Sequence, residues 1–489
     1  MTKLRTWPRA IGQWLGHRLR RPEYGKAYRV PRSSISWAYV FGSAAFVLLL
    51  VELVTGLCLA LVYSPSANNA WQSLLYLNYQ QPFGWYLRAL HFWGSNFLVV
   101  LLILHLIQVF VLGSYKYPRE LTWISGVLLL LLTLGMALTG EVLRFDQEAY
   151  WDLVIGFTLA GRTPLIGPWL VHLLMGGPII AGATLMRMFL MHALLLPAAI
   201  IGLTGLHLLL AYRLGISEWP MPGRMVKRET YVANYRTILD REGEPLIPNG
   251  LRKDLVFAAL IVAALMVTAA VIGPKGPNGP PNPSIIRTRP HPDFFFLWME
   301  ALMGLLPSWL DTPFALIVLP LLIMALIALP LISPGGERHI LRRPLSLVVA
   351  TVVVTALIVT TWLGTYDPWS QEMNAWSGTP TPVEYLKGRT PLEIQGAILI
   401  QAKQCRNCHS LGGAGGMRGP ALDTTATRLT RNELIRQILQ GGGNMPAYGK
   451  ALKPAEVAAI VAFLATMHPP NEPPARNSAQ PATPPATDR

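Results

Sequence analysis

Seven apolar runs punctuate the chain, at roughly 37–63, 85–113, 121–143, 179–212, 255–272, 313–331 and 345–364. Each has about 18 residues or more, the length a helix needs to cross a bilayer. Lipid offers the backbone no hydrogen-bond partners, so runs of this length predict helices, whose backbone bonds are internal. The segments between them are polar. The first 36 residues are basic and lack the apolar core of a cleavable signal peptide.

Composition supports a membrane protein with some soluble mass attached. Of 489 residues, 52% are hydrophobic and only 14% charged, and the mean hydropathy is +0.37. The placement of charge says more than its sum of +15. Residues 1–36 carry nine Lys and Arg against one acid. Further basic stretches are "YKYPRE" after the second run, "RMVKRETYVANYRTILDREGEPLIPNGLRK" after the fourth and "GGERHILRRP" after the sixth. These are alternate loops, so the positive-inside rule predicts a cytoplasmic N-terminus and cytoplasmic basic loops. The loop at 64–84 has no Lys or Arg and is expected outside, as is everything after residue 366. Charge dispersed over loops in this way argues against a nucleic-acid partner.

The pattern divides the chain into six parts. A cytoplasmic basic segment (1–36) precedes four spans that hold every intramembrane histidine (37–214). Three further spans follow (215–366), then a polar linker (367–391), a small helical domain (392–468) and a Pro-rich tail expected to be disordered (469–489).

Histidine is costly in lipid, yet the second run reads "HFWGSNFLVVLLILH", from His91 to His105. Fourteen residues make almost four helical turns, so both rings lie near one face and about 21 Å apart. The fourth run repeats the pattern with His192 and His207, fifteen residues apart. Both runs cross in the same direction. His91 and His192 therefore share an outer level, and His105 and His207 an inner level. Two neutral imidazoles from facing helices at each level are the ligands of a non-covalent, bis-histidine haem b. The plainer alternative is four satisfied interior histidines, which matched depths disfavour. Gly42 and Gly56 in the first run, and Gly126 and Gly140 in the third, are also fourteen apart. They are expected to clear side chains from the porphyrin edges; ordinary small-residue helix packing is the alternative. Arg88 and Arg187 stand just outward of the outer histidines and are candidate propionate partners, or snorkelling interfacial residues.

There are three cysteines. Cys58 lies in the first run and reads as a small buried hydrophobe. Cys405 and Cys408 belong to "CRNCH", the pattern of covalent haem c attachment, with His409 as proximal ligand. Such attachment belongs to the outer side, in agreement with the charge pattern.

The residues "GWYLRALHFWGSNFLVVLLILH", "YKYPRELTWISGVLLLLLTLG", "DQEAYW", "TPLIGPWLVHLL" and "ATLMRMFLMHALLLPAAIIGLTGLH" resemble the cytochrome b of Rieske/cytochrome b complexes. The fifteen-residue histidine step and "GIS" resemble the chloroplast-type branch. "PNGLRKDL", "HPDFFF" and "RRP" resemble that branch's separate subunit IV, here in the same chain. The resemblance covers roughly residues 30–366. Residues 401–468 resemble a small class I cytochrome c, with Met445 in "GGGNMPAYG" as the expected distal ligand and Met417, then His468, as alternatives.

The resemblance implies an all-α membrane protein: a four-helix haem-binding bundle, three further transmembrane helices and a small all-α cytochrome c domain. It implies two haems b, one haem c, and a proton-translocating quinol–cytochrome c oxidoreductase in a bacterial inner membrane. Quinol would be oxidised at the outer face. One electron would pass to a separate Rieske iron–sulfur protein, since this chain has too few cysteines for that cluster. The other would cross through both haems b to a quinone site near the cytoplasm, where Arg213 and Lys26 are basic residues at a suitable level. A downstream cytochrome c or oxidase and a homodimer are implied as well.

Four departures from the family bear on the chemistry. Gln108 stands where the family usually has Arg. "GEVLRF" replaces a GYLLPW-like segment and brings in Glu141, Arg144 and Phe145. "PDFF" replaces PEWY, so Asp293 takes the glutamate's place as quinol-proton acceptor, with Glu141 as its competitor. Val40 matches the cysteine that would hold an extra haem in the chloroplast-type branch, so that haem is not expected. Two rival functions remain: a dihaem membrane anchor of a dehydrogenase, and a non-bifurcating electron-transfer protein.

Overall fold

The computed structural model describes residues 28–177, 180–282, 291–366, 381–415, 419–441, 447–471 and 473–475, together with Trp14, Gly16 and Met445. Every apolar run closes into a helix long and apolar enough to cross a membrane. The spans are Phe41–Ala60, Gly84–Val111, Glu120–Val142, Gly182–Leu214, Leu246–Ile272, Trp309–Ile332 and Pro344–Gly364. The fifth begins before the expected residue 255, because "LIPNG" turns directly into the helix. The first span packs on the second and the third on the fourth. The fifth lies against the first two around Leu48, Leu98 and Leu265.

Most polar loops lock the spans together at their two ends. At the end near His105 and His207, the four basic segments meet. Here the second and fourth spans finish, leaving carbonyls with no helical partner. Arginines supply the donors, as positive charge at helix C-termini should. Arg343 donates to Phe110 O at 3.2 Å and Arg338 to Leu112 O at 3.3 Å. Arg119 donates to Leu214 O at 3.3 Å and Gly215 O at 3.1 Å. Arg338 also forks onto Glu218, meeting Oε1 at 2.7 Å and the backbone O at 2.9 Å. Lys116 Nζ reaches Ser333 Oγ at 2.7 Å. Arg29–Pro31, inside the segment expected to be only a basic lead-in, forms a two-stranded antiparallel sheet with Gly243–Pro245.

At the opposite end, short helices that the apolar pattern does not reveal carry the loops: Ala70–Tyr79, Gln147–Gly161, Gly167–Met175 and Phe294–Leu305. Asp146 caps the second of these, its Oδ1 accepting from Ala149 N at 3.0 Å. Its Oδ2 accepts from Asn278 N at 3.0 Å, which ties the connection after the third span to the one after the fifth.

The C-terminal domain has its own core, including Ile400, Leu411, Leu434, Ile438, Ile460 and Phe463. Its first and last helices, Pro391–Ala402 and Pro454–Leu464, cross at Gly396, where a Cβ would stand 2.1 Å from Ala459 O. The domain starts earlier than residue 392. Tyr385 and Leu386, placed by sequence in the linker, pack on this core, and Tyr385 OH donates to Asp423. The linker from 367 to 380 lies outside the described residues, as does most of the tail. Ala475 in that tail is held by Ala426 O at 2.7 Å. The domain touches the membrane part at the end carrying the 64–84 loop. Lys450 Nζ stands 4.8 Å above the Trp71 ring, and Asn68 Nδ2 donates to Gln440 O at 3.2 Å.

The Glu218–Arg338 pair is buried, with 5% and 3% exposure. Glu218→Ala should destabilise the folded protein by about 3–5 kcal/mol, because it leaves an uncompensated buried charge. Replacing both partners by leucine should cost less than the two single changes together, a comparison that thermal unfolding in detergent checks.

Candidate functional site

The second and fourth spans bring the four histidines into two levels. His91 and His192 approach with ring centroids 6.1 Å apart and planes at 86°. With metal–imidazole bonds of about 2 Å, two rings on opposite sides of one metal stand roughly this far apart.

The unequal spacing has a local cause. Met191–Leu195, which contains His192, is a π-helical turn, and Pro197 follows at the start of the next α-helical stretch. A π-turn accommodates one extra residue per turn. The fifteen-residue step in the fourth span thereby matches the fourteen-residue step in the second, and both levels stay aligned.

Each imidazole is held through Nδ1. His91 meets Thr55 Oγ1 at 3.0 Å and Glu52 Oε2 at 3.1 Å. His192 meets Met136 O at 3.0 Å and Thr139 Oγ1 at 3.2 Å. His105 meets Gln108 Oε1 at 3.1 Å, and His207 meets Ser125 Oγ at 2.9 Å. These partners fix the tautomer that leaves Nε2 free for a metal. Gln108, standing where the family usually has Arg, thus faces His105.

The four glycines abut the four rings. A Cβ built on Gly56 would lie 3.0 Å from His91 Cε1, on Gly140 2.7 Å from His192, on Gly42 3.0 Å from His105 and on Gly126 3.2 Å from His207. What the glycines clear here is space for the imidazoles themselves. Around His91 and His192 lies a cavity of about 620 Å³, lined also by Arg88, Glu141, Arg144 and Asp293. Donor set, glycine cradle and cavity all fit a bis-histidine haem.

The two arginines part company. Arg88 reaches this cavity, but its guanidinium is engaged by Asn78 Oδ1 at 2.9 Å, Gly276 O at 2.6 Å and Lys275 O. Arg187 is exposed and lies against Gly176 instead. Val40 is buried at the start of the first span.

Asp293 and Glu141 come together through Arg144. Its Nη1 is 3.4 Å from Asp293 Oδ1 and its Nη2 3.5 Å from Glu141 Oε1. Lys275 Nζ meets the same Asp293 oxygen at 2.8 Å. Asp293 also lines a second, apolar cavity of about 680 Å³ that follows Phe92, Asn96, Val100 and Leu104 along the second span. Two acids escaped the sequence reading. Glu52 is the lone acid of the first span, a signal that intramembrane charge should have raised. Asp152 sits on Gln147–Gly161 beside Glu141, and burial pushes its carboxyl up to about 7.

In the C-terminal domain, Cys405, Cys408 and His409 follow one another around a tight turn. His409 Nδ1 meets Pro420 O at 2.7 Å, and a Cβ on Gly419 would lie 2.5 Å from His409 Cε1. Burial pushes the His409 imidazole below its ordinary pKa, favouring the neutral, ligating form. Met445 Sδ accepts from Gln437 Nε2 at 3.6 Å. His468 Nδ1 meets Pro469 O at 3.0 Å, and Met417 lies outside the described residues. These residues fit a covalently held haem.

Paired histidines in a four-helix membrane bundle, followed by a thioether-forming domain, define a membrane cytochrome of mixed b and c type. Residues 27–215 match the family model described as cytochrome b/b6/petB, and residues 394–464 match that of cytochrome c oxidase, cbb3-type, subunit III. A menaquinol:cytochrome c reductase cytochrome b subunit of Geobacillus thermodenitrificans is 40% identical over 183 residues, 37% of this chain and 82% of that protein. A cytochrome b6 of Heliobacterium mobile is 36% identical over 211 residues, 42% of this chain and 98% of that protein. A solved chain described as hyperthermophilic respiratory Complex III superposes with a TM-score of 0.56 at 25% identity, covering 73% of this chain and 91% of its own. The chain belongs to the cytochrome b/b6 family.

Gly140→Val should remove the haem held by His91 and His192 while sparing the other level. The expected result is half the wild-type haem b content, read by pyridine haemochrome assay and low-temperature spectra.

Proposed function

We propose that this chain is the cytochrome b/c subunit of a proton-translocating quinol:cytochrome c oxidoreductase. It carries two haems b, one on His91 and His192 and one on His105 and His207, and one haem c on Cys405 and Cys408 with His409 and Met445 as axial ligands. Haem supplies one-electron carriers at these positions. The observation that carries the reading is the placement of Glu141 and Asp293 on the wall of the chamber holding His91 and His192. Quinol oxidation needs a proton acceptor beside an electron acceptor, and the two are adjacent here. The apolar cavity that reaches Asp293 suits the body and tail of a lipophilic quinol.

The His91/His192 level then faces the outer, periplasmic side of a bacterial inner membrane. Basic loops capping the opposite ends of the spans support this orientation, and contact between the C-terminal domain and the 64–84 loop agrees with it. Arg119, Arg338 and Arg343 hold the helix ends there and keep both levels in register. A separate Rieske protein, a downstream cytochrome c or oxidase, a homodimer and a second quinone site near the cytoplasm complete the proposal. Among the acids, Glu141 is the freer acceptor. Among the described residues its Oε2 has no hydrogen-bond donor, whereas Asp293 Oδ1 is claimed by Lys275 and Arg144.

The purified protein should contain two haems b per haem c. In the intact complex, adding an oxidant together with quinol should drive electrons into the b haems, as splitting electrons between two branches requires. A simple dihaem anchor or wire would show no such oxidant-driven reduction. Glu141→Gln should lower turnover by about 10²–10⁴-fold if it is the base, and Asp293→Asn by less. Wild-type turnover in Glu141→Gln, with loss in Asp293→Asn, would return the role to Asp293.

Met445→His should lower the haem c potential strongly, since thioether ligation raises it. Redox titration of that band in the complex is the check, and an unchanged potential would move the ligand elsewhere.

A further inference from the structure

Asp152, on Gln147–Gly161, stands close enough to Glu141 for the two carboxyls to interact. Asp152 Oδ2 and Glu141 Oε2 are both buried, and among the described residues neither meets a donor. Glu141 is 4% exposed and opens onto the His91/His192 chamber. Two buried carboxylates at this range repel unless one carries a proton. A shared proton removes the repulsion and supplies the missing donor.

Among the described residues, the cations near the pair are shared with other acids. Arg144, from the connection after the third span, is divided among Glu141, Asp146, Glu148 and Asp293 at 3.4–4.0 Å. Lys275, from the connection after the fifth span, is drawn to Asp293 at 2.8 Å and Glu148 at 3.9 Å. Glu300, on Phe294–Leu305, adds negative charge near Asp152 and lies 3.6 Å from His291 Nδ1. Among the described residues, Arg144, Lys275 and Arg88, the last held by backbone carbonyls and Asn78, thus face six carboxyls.

An exit from the pair is also built in. Glu148 stands four residues before Asp152 on the same helix, hence one turn away, and its side chain is 36% exposed. Glu141 is buried, whereas Asp152 and Glu148 are each half-buried.

We propose that Glu141 and Asp152 share one proton, accept a second from quinol, and release it toward Glu148 and the aqueous surface. This rests on the reading of the chamber as a quinol-oxidising site. In the step, a quinol O–H bond breaks and its electron pair stays on the quinol oxygen. The proton converts the singly protonated pair to two neutral acids. Loss of one proton to Glu148 or to water restores the pair. The quinol's electrons leave singly, one to the b haem and one to the Rieske partner. Asp152 is a positioning residue, acting through Glu141. Burial raises its carboxyl above the ordinary carboxylate range, so acceptance weakens as pH falls.

The test uses the intact complex with quinol and cytochrome c. Asp152→Asn should keep the wild-type haem spectra and lower turnover at neutral pH by about tenfold or more, less than loss of a full base. It should also shift the acid limb of the pH profile to lower pH, because the amide no longer shares Glu141's proton. Asp152→Glu should restore most of the turnover. Infrared spectra of the purified complex should show a protonated-carboxyl band at neutral pH that both Asp152→Asn and Glu141→Gln remove. An unshifted acid limb in Asp152→Asn, or a band that survives both changes, overturns the proposal. Failure of the wild-type complex to reduce its b haems with quinol would instead overturn the reading of the chamber and the proton's source, and the infrared band would still report whether the pair shares a proton.

Discussion

Two imidazoles on different helices can face each other only if the helices keep register, and here two such pairs stand at two depths at once. The second span is regular across its histidines. The fourth has one residue more between its own, and the π-turn at Met191–Leu195 takes up the excess. Without that turn, His192 or His207 would rotate by about 100° and rise by about 1.5 Å relative to its partner. The glycines facing each ring and the acceptors at each Nδ1 are useful only once the register is kept.

Register inside the membrane is set by polar chemistry at its edges. Lipid-facing packing is weakly directional, so sliding of one span past another is opposed chiefly by hydrogen bonds and ion pairs at the helix ends. Arg119, Arg338 and Arg343 bind the carbonyl ends of the second and fourth spans and connect them to the later half of the chain. Asp146 and Arg88 do comparable work at the other end. The charge asymmetry among loops, read from sequence as a sign of topology, has a second physical role in capping helices.

Much of this was legible in the chain because it is periodic. Seven spans follow from apolar run length, and the matched levels follow from histidine spacing and helix geometry. The four glycines were legible for the same reason, although the structure shows that they face the imidazoles. Features that depend on a distant partner left no periodic trace. The strand Arg29–Pro31 exists because residues 243–245 lie beside it. Tyr385 belongs to the C-terminal domain because Asp423 accepts its hydroxyl. Arg88 and Arg187 look equivalent in sequence, yet only Arg88 enters the chamber, because helix direction and a local turn decide where each points. Asp152 reads as an ordinary polar residue until folding sets it beside Glu141.

Among the described residues the C-terminal domain meets the membrane part through Lys450 on Trp71 and Asn68 on Gln440, with Tyr448 near Tyr150, a limited set of contacts. Between separate proteins, a few such polar contacts would give weak association at cellular concentrations. On a single chain the domain is confined near its partner surface at an effective concentration of about millimolar order. Such a contact can be made and broken many times without the domain being lost to solution. Tethering lets a carrier domain combine rapid release with certain return, a combination that a diffusing carrier gets only by being abundant.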